Sequence, residues 1–245
     1  MKEIIAMHGW GGDSKQWSNW IDYFQCCDWK WQSVERGYKD IRPYSPGWYN
    51  DLKQIGLKRV AICHSLGSHL IEKEVLSLAT HVVLINSFSR FIPNSKENRS
   101  IKIALKKMMH AINTPNEPSM LQKFHIKAHK PNKINVKSNA SNLTRISESG
   151  KLILKNDLKL LMHSNSLPSG LNTYTKVLVV NSKNDYIVAN QTKEKLAQDL
   201  KKYLEKEPTI INLQDEGHTI SKIKNIKKIK HWLELDHDKN MVQPS

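Results

Sequence analysis

Cysteine is scarce: the chain has three, with Cys26 and Cys27 adjacent and Cys63 inside an apolar stretch. Neighbouring cysteines are poorly placed to bridge one another, so no disulfide framework is expected. No apolar run approaches the ~20 residues that a membrane-spanning helix needs. The opening residues, from Met1 to Met7, carry no basic stretch, no long apolar segment and no small-residue cleavage site. No secretory signal is therefore read, and a cytoplasmic location is expected. No G-x-x-x-x-G-K-[ST] pattern is present, which excludes a P-loop, and no cysteine–histidine spacing resembles a zinc site. Neither a cofactor nor a metal is expected.

Acidic residues are also few. There are 23 Asp and Glu against 38 Lys and Arg, a formal net charge of +15, and arginine supplies only six of those cations. An AT-rich genome gives a lysine excess of this kind, but would spread it evenly along the chain. Here residues 90–170 hold 15 Lys and Arg against Glu97, Glu117, Glu148 and Asp157, a net +11 in about a third of the chain. Such a concentration points to an acidic partner or a polyanion. Nucleic acid is not expected, because the basic stretch has only Phe91 and Phe124 as aromatics and lacks the stacking residues that single strands need.

The 245 residues, 39% of them hydrophobic, suit one sizeable α/β domain with an insertion. Residues 2–7 read as a buried strand ending in the glycine loop His8-Gly9-Trp10-Gly11-Gly12. Asp13 and Ser14 then cap a helix through Trp17, Trp20 and Ile21. A short strand is expected over 31–34, a turn-rich stretch to Gly47, and a helix over 51–56. Residues 59–63 form a continuous apolar run of the parallel-sheet type. One helix should follow it, turning Leu66, Leu70, Ile71, Val75 and Leu78 to the sheet. Residues 81–87 are the next strand.

The pattern then changes. Residues 90–168 hold three amphipathic helical pieces, 101–112, 120–129 and 150–162, and no strand. Strands resume at 176–181 and 209–213, separated by a helix over 192–204, and a basic amphipathic helix over 220–235 closes the fold. Strand–helix alternation interrupted once by helices predicts an α/β sheet with an inserted helical lid. Residues 1–89 and 169–235 would form the core, 90–168 the lid and 236–245 a flexible tail.

Cys63-His64-Ser65-Leu66-Gly67 joins a buried strand to a helix. A turn that sharp lifts a serine Oγ into the open and leaves room only for small neighbours two residues away on either side. Downstream, Asp185 lies just past the 176–181 strand, and His218 lies on the loop after the last strand. Loops at that edge of a parallel sheet converge, so Ser65, Asp185 and His218 can meet across 120 and 33 positions of sequence. Ser65 would be the nucleophile, His218 the general base and Asp185 the group that orients it. His8, His64 and His69 compete for the base, and Asp215 and Glu216 for the acid. Asp185 has a second reading as a helix cap. The backbone N–H groups of Trp10 and Leu66 are placed to form an oxyanion hole.

These motifs, HGWGG, x-H-S-x-G, N-D-x-x-V at 184–188 and E-G-H at 216–218, resemble the α/β-hydrolases over nearly the whole chain. The sequence is most similar to the pimeloyl-[acyl-carrier-protein] methyl ester esterases of biotin synthesis. The likeness lies in HGWG followed by Trp17 and in the run Ser149-Gly150-Lys151-Leu152-Ile153-Leu154-Lys155-Asn156-Asp157-Leu158-Lys159. Cys63 stands where a glycine is usual, and Ala189 where proline often follows N-D-x-x-V. The resemblance implies a mostly parallel sheet of about six strands with an inserted helical lid. It also implies a serine carboxylesterase activity on an acyl ester, and a basic lid that docks the acidic acyl carrier protein. Lys102, Lys106, Lys107, Lys151, Lys155 and Lys159 would be its carrier-binding residues. A generic small-molecule esterase or thioesterase, and a non-catalytic basic protein binding polyanions, are the other readings.

Overall fold

The computed structural model describes residues 2–49, 57–94, 98–132 and 145–235. The expected helix over 51–56 and the expected tail lie outside the described residues. Six strands, β1 (Lys2–Met7), β2 (Trp29–Ser33), β3 (Lys58–His64), β4 (His81–Ile85), β5 (Lys176–Ser182) and β6 (Thr209–Leu213), form one sheet in the order β2-β1-β3-β4-β5-β6. Every pairing is parallel. Ile4 aligns with Val60, Val60 with His81, and His81 with Lys176.

Alternate residues of these strands feed opposite faces of the sheet. Ile4, Ala6, Val60, Ile62, Val83 and Ile85 pack under α1 (Ser18–Gln25) and the C-terminal helix through Trp20, Phe24, Ile226, Ile229 and Leu233. Ile5, Met7, Ala61, Cys63, Val82 and Leu84 meet Ile71, Val75, Leu196 and Leu200 on the other face. Both faces are covered, which is why the central strands read as unbroken apolar runs. Asp13 caps the 3₁₀ turn Ser14–Trp17 that precedes α1, accepting the Lys15 N–H.

The helix expected after β3 is two. Here α2 (Gly67–Leu70) stops at Ile71, which is extended at ψ 146°, and α3 (Lys73–Ser77) starts afresh. The break re-aims the chain so that Ile71, Val75 and Leu76 reach the core while Leu78 faces solvent. Strand β2 also begins two residues early, because Trp29 is buried at its start.

Between β4 and β5 run α4 (Asn98–Ala111), α5 (Glu117–His129) and α6 (Glu148–His163). They build a third core, with Leu105, Leu121, Leu154, Leu158 and Leu161 packed on Trp10, Leu66, Phe88 and Val188. α6 presses so closely on the loop after β2 that a Cβ on Gly150 would lie 2.0 Å from Tyr38 O. Arg36 clamps the same helix, with Nε and Nη2 each 2.7 Å from the buried Asp157 carboxylate, to which Tyr38 also donates. α7 (Asn190–Tyr203) and α8 (Ile223–Leu235) are the last helices among the described residues. Among the described residues no helix is long and apolar enough to cross a membrane, and no three His, Cys, Asp or Glu side chains are grouped to hold a metal.

Candidate active site

The site collects at the C-terminal edge of the sheet. Ser65 follows β3 with φ +54°, a left-handed conformation that costs a non-glycine residue roughly 1 kcal/mol. Its neighbours hold it there: Ser65 N–H donates to Ile85 O at 2.8 Å, and Ser65 O accepts from Ser87 Oγ at 2.9 Å. Gly67 is required by packing, since a Cβ there would lie 2.6 Å from His8 O and 2.7 Å from Met7 O. A Cβ on Gly9 would sit 3.1 Å from Ser65 Cβ, so the glycine loop after β1 lies directly against the serine. Neither Trp10 N–H nor Leu66 N–H donates to another group among the described residues.

Asp185 is reached through a short loop after β5. Its Oδ1 accepts the N–H groups of Ile187 (2.8 Å) and Val188 (3.0 Å), while Oδ2 accepts His218 Nδ1–H at 3.0 Å. Asp185 is not the helix cap of the alternative reading, because the next helix starts at Asn190 after Ala189; one oxygen closes a turn of the loop and the other holds the histidine. The carboxylate has no solvent exposure. Burial alone would raise its pKa, but His218, then Lys193 and the Val188 N–H, outweigh it and hold the group at about 2.

His218, buried, is fixed by its backbone as well as by its ring. Its carbonyl accepts from Asn86 Nδ2 and from His64 Nε2, each at 2.8 Å, and the His64 ring lies 4.7 Å from its own. Burial first, then the neighbouring His218, pushes His64 down to about 3 and keeps it neutral. The loop also docks on the helical block. Thr219 N–H donates to Ala128 O at 3.2 Å, Asn132 Nδ2 donates to Glu216 Oε2 at 3.1 Å, and a Cβ on Gly217 would lie 1.8 Å from Lys130 O.

The competing histidines and acids are engaged elsewhere. His8 Nδ1 faces Gly9 O and its Nε2 accepts Arg36 N–H, while His69 donates to Phe88 O. Asp215 pairs with Lys222 and Lys224, and Glu216 accepts from Lys222 N–H and Asn225. Ser65 Oγ makes no hydrogen bond among the described residues, to His218 or to any other group. Catalytic hydrogen bonds are often long without substrate.

Ser65 opens into a cavity of about 540 Å³ lined by Trp10, Phe91, Ile101, Leu105, Met108 and Leu158. His218 borders an adjoining space of about 340 Å³ with His64, His125 and His129. Trp10 and Phe124 line both, edge to face at 5.0 Å, and Trp10 Nε1 donates to Leu154 O of α6.

Of the six lysines singled out in the sequence, Lys107 reaches the larger cavity, joined there by Lys123 and Lys127 of α5. Lys102, Lys106, Lys155 and Lys159 are exposed outside it, and Lys151 pairs with Glu148 at 2.5 Å. Sequence reading passed over Lys123 and Lys127, although their i,i+4 spacing on one helix put them on one face. It also passed over Asn86 and Lys193, which nothing in the sequence marks as buried beside the site.

No protein-family model matches the sequence, and no curated protein matches it. Solved structures match over nearly its whole length. An esterase (EaEST) from Exiguobacterium antarcticum has a TM-score of 0.69 at 12% identity, with 96% of this chain and 92% of that one covered. A thermophilic esterase from Thermogutta terrifontis gives 0.64 at 14% identity, covering 95% and 89%. The enol-lactonase from Burkholderia xenovorans LB400 gives 0.61 at 14%, covering 97% and 90%. At such identities the likeness speaks to architecture, and together with the parallel six-stranded sheet it establishes that this chain adopts the α/β-hydrolase fold.

Proposed function

We propose that the protein is a serine carboxylic ester hydrolase with Ser65 as nucleophile, His218 as general base and Asp185 as its orienting acid. The observation that carries this reading is the buried Asp185–His218 hydrogen bond, set at the same edge of the sheet as a serine held in a left-handed turn. In the proposed reaction His218 Nε2 takes the Ser65 proton as Oγ attacks the ester carbonyl. The N–H groups of Trp10 and Leu66 receive the oxyanion. The tetrahedral adduct collapses, and His218 returns the proton to the departing alcohol. Water, deprotonated by the same histidine, then releases the acid from Ser65. Asp185 stays ionised throughout and favours the imidazolium. The names of the similar structures, two esterases and a lactonase, support the same chemistry by analogy of fold.

The acyl group would lie in the apolar cavity beyond Trp10, and Lys107, Lys123 and Lys127 at its wall favour a substrate attached to something anionic. An acyl ester of acyl carrier protein, the pimeloyl methyl ester being the specific candidate, satisfies both features. The outer lysines Lys102, Lys106, Lys155 and Lys159 would then add to the encounter rate, an effect that salt screens over ~8 Å. Ile103 and Leu152 of the same helices point to solvent and take no part in that wall.

The test is a pair of substrates. A fluorophosphonate should label wild type and leave Ser65→Ala unlabelled. Carrier-linked ester should lose kcat/KM as salt rises, and a neutral free ester should barely respond. Labelling that persists in Ser65→Ala moves the nucleophile elsewhere. Equal salt dependence for both esters leaves a generic esterase.

A further inference from the structure

We infer that Cys26 and Cys27 form a vicinal-dithiol site for a soft, thiophilic electrophile, with a neutral trivalent arsenical as the ligand class and Lys230 seated against the attacking sulfur. The site lies at the end of α1, where the chain enters the sheet at its N-terminal edge, remote from Ser65. Cys26 continues the helical turn at φ −62°, ψ −3°, Cys27 N–H still donates to Phe24 O, and Asp28 then turns left-handed at φ 60°. In the turn that ends the helix the two sulfurs come within 3.4 Å of each other.

Lys230 of α8 supplies the second observation. It is only 5% exposed, and its ammonium lies 4.5 Å from the Tyr23 ring centroid and 5.8 Å from that of Phe24. An ammonium buried among rings needs a counter-charge. Glu234 is 3.9 Å away with a half-exposed side chain, whereas Cys27 Sγ is 2.6 Å from Nζ. A Cys27 thiolate meets the need. The Lys230 hydrogen bond, then the Cys26 thiol, hold Cys27 below the ordinary cysteine range. Cys26 is exposed and Cys27 half-buried, so a reagent reaches both, while Cys63 is enclosed in β3 where burial pushes its thiol up.

The geometry selects the ligand. Adjacent Cα atoms are ~3.8 Å apart, short of the ~4.4 Å at which disulfides begin, so direct closure is disfavoured. One soft atom bonded to both sulfurs at ~2.3 Å holds them between 3 and 4 Å apart, roughly the spacing already present. A dication would be repelled by Lys230 and would seek more ligands than two. A neutral arsenical meets neither obstacle. In the reaction Cys27 sulfur attacks arsenic and displaces one hydroxyl, and Cys26 sulfur displaces the other. The protons of the Cys26 thiol and of the Lys230 ammonium leave with them in two waters, and arsenic stays trivalent.

The test uses phenylarsine oxide on the folded chain, read by intact mass. One phenylarsenic group per chain should survive gel filtration, come off with ethanedithiol and protect Cys26 and Cys27, but not denatured Cys63, from iodoacetamide. Cys26→Ser and Cys27→Ser should each abolish retention. Lys230→Met, which keeps both sulfurs and an apolar filling, should slow capture at neutral pH about tenfold or more and move Cys27 alkylation to higher pH. No adduct on wild type overturns the site. An unchanged rate and pH profile in Lys230→Met overturns the role of the lysine.

Discussion

Lys193 Nζ stands 3.5 Å from Asp185 Oδ2, the same oxygen that His218 reaches at 3.0 Å. Lys193 is itself buried and donates to Ser182 O at 2.7 Å. Burial depresses its pKa while Asp185 opposes the fall. One carboxylate oxygen thus serves the Lys193 ammonium and the His218 Nδ1–H together, and Lys193 draws on the anion that would otherwise favour imidazolium alone. Replacing it with Met should strengthen the hold of Asp185 on protonated His218. The acid limb of kcat/KM should move to higher pH, with less than about a tenfold loss at the optimum. A profile unchanged in position would make Lys193 a packing residue only.

The left-handed turn at Ser65, the proposed nucleophile, stores strain. Glycine normally loses to alanine in a folded chain, but at φ +54° the order should invert. Ser65→Gly is expected to melt above Ser65→Ala by roughly 1 kcal/mol, both variants being inactive. Denaturant titration of the pair checks this, and equal or reversed midpoints would show that the turn relaxes when the hydroxyl is lost.

Arg36 and Tyr38 together hold the Asp157 carboxylate. Without the guanidinium a buried anion keeps a single phenol donor. Arg36→Met should therefore cost on the order of 2–3 kcal/mol. The loss should appear first as proteolysis within residues 90–168, and pairing the change with Asp157→Asn should recover much of it. Cleavage sites that stay those of wild type would place the cost elsewhere.

Acid should unfold the protein in two stages. His64, held at about 3, takes up a proton in the unfolded chain below its ordinary 6.5, so stability falls as pH drops through that interval. Asp185 and Glu35 are both held at about 2, Glu35 against its own burial by His8 and the N–H groups of Ser14 and Gly37. A carboxyl held that low contributes on the order of 2 kcal/mol above pH 4, and loses it between about 4 and 2. Urea midpoints measured from pH 7 to pH 3 should decline throughout. A midpoint flat from 7 to 4.5 would exclude the His64 contribution.

The strands were legible because burial on both faces writes itself as continuous apolar sequence, as in Val60-Ala61-Ile62-Cys63. Even β6, with Ile210 exposed, kept enough of the pattern to be read. The break at Ile71 was not, since Ile71, Val75 and Leu78 satisfy a helical period that tertiary packing overrides. Ser65, Asp185 and His218 drew notice because each follows a strand and sheet topology gathers such loops, and the structure does join Asp185 to His218. Lys193 and Asp157 follow no such rule. Both are polar residues inside amphipathic helices, and only the folded structure reveals that they face inward.

The grip of α5 on the loop that carries His218 has an engineering consequence. Thr219, Gly217 and Glu216 all rest on residues 128–132. The helical block is therefore not a detachable module in this scaffold. A chimaera that imports residues 98–163 from another protein of this fold would also discard the support beneath the proposed general base. Specificity transplants should accordingly stop short of residue 128, exchanging α4 and the first turns of α5 while keeping the native seam.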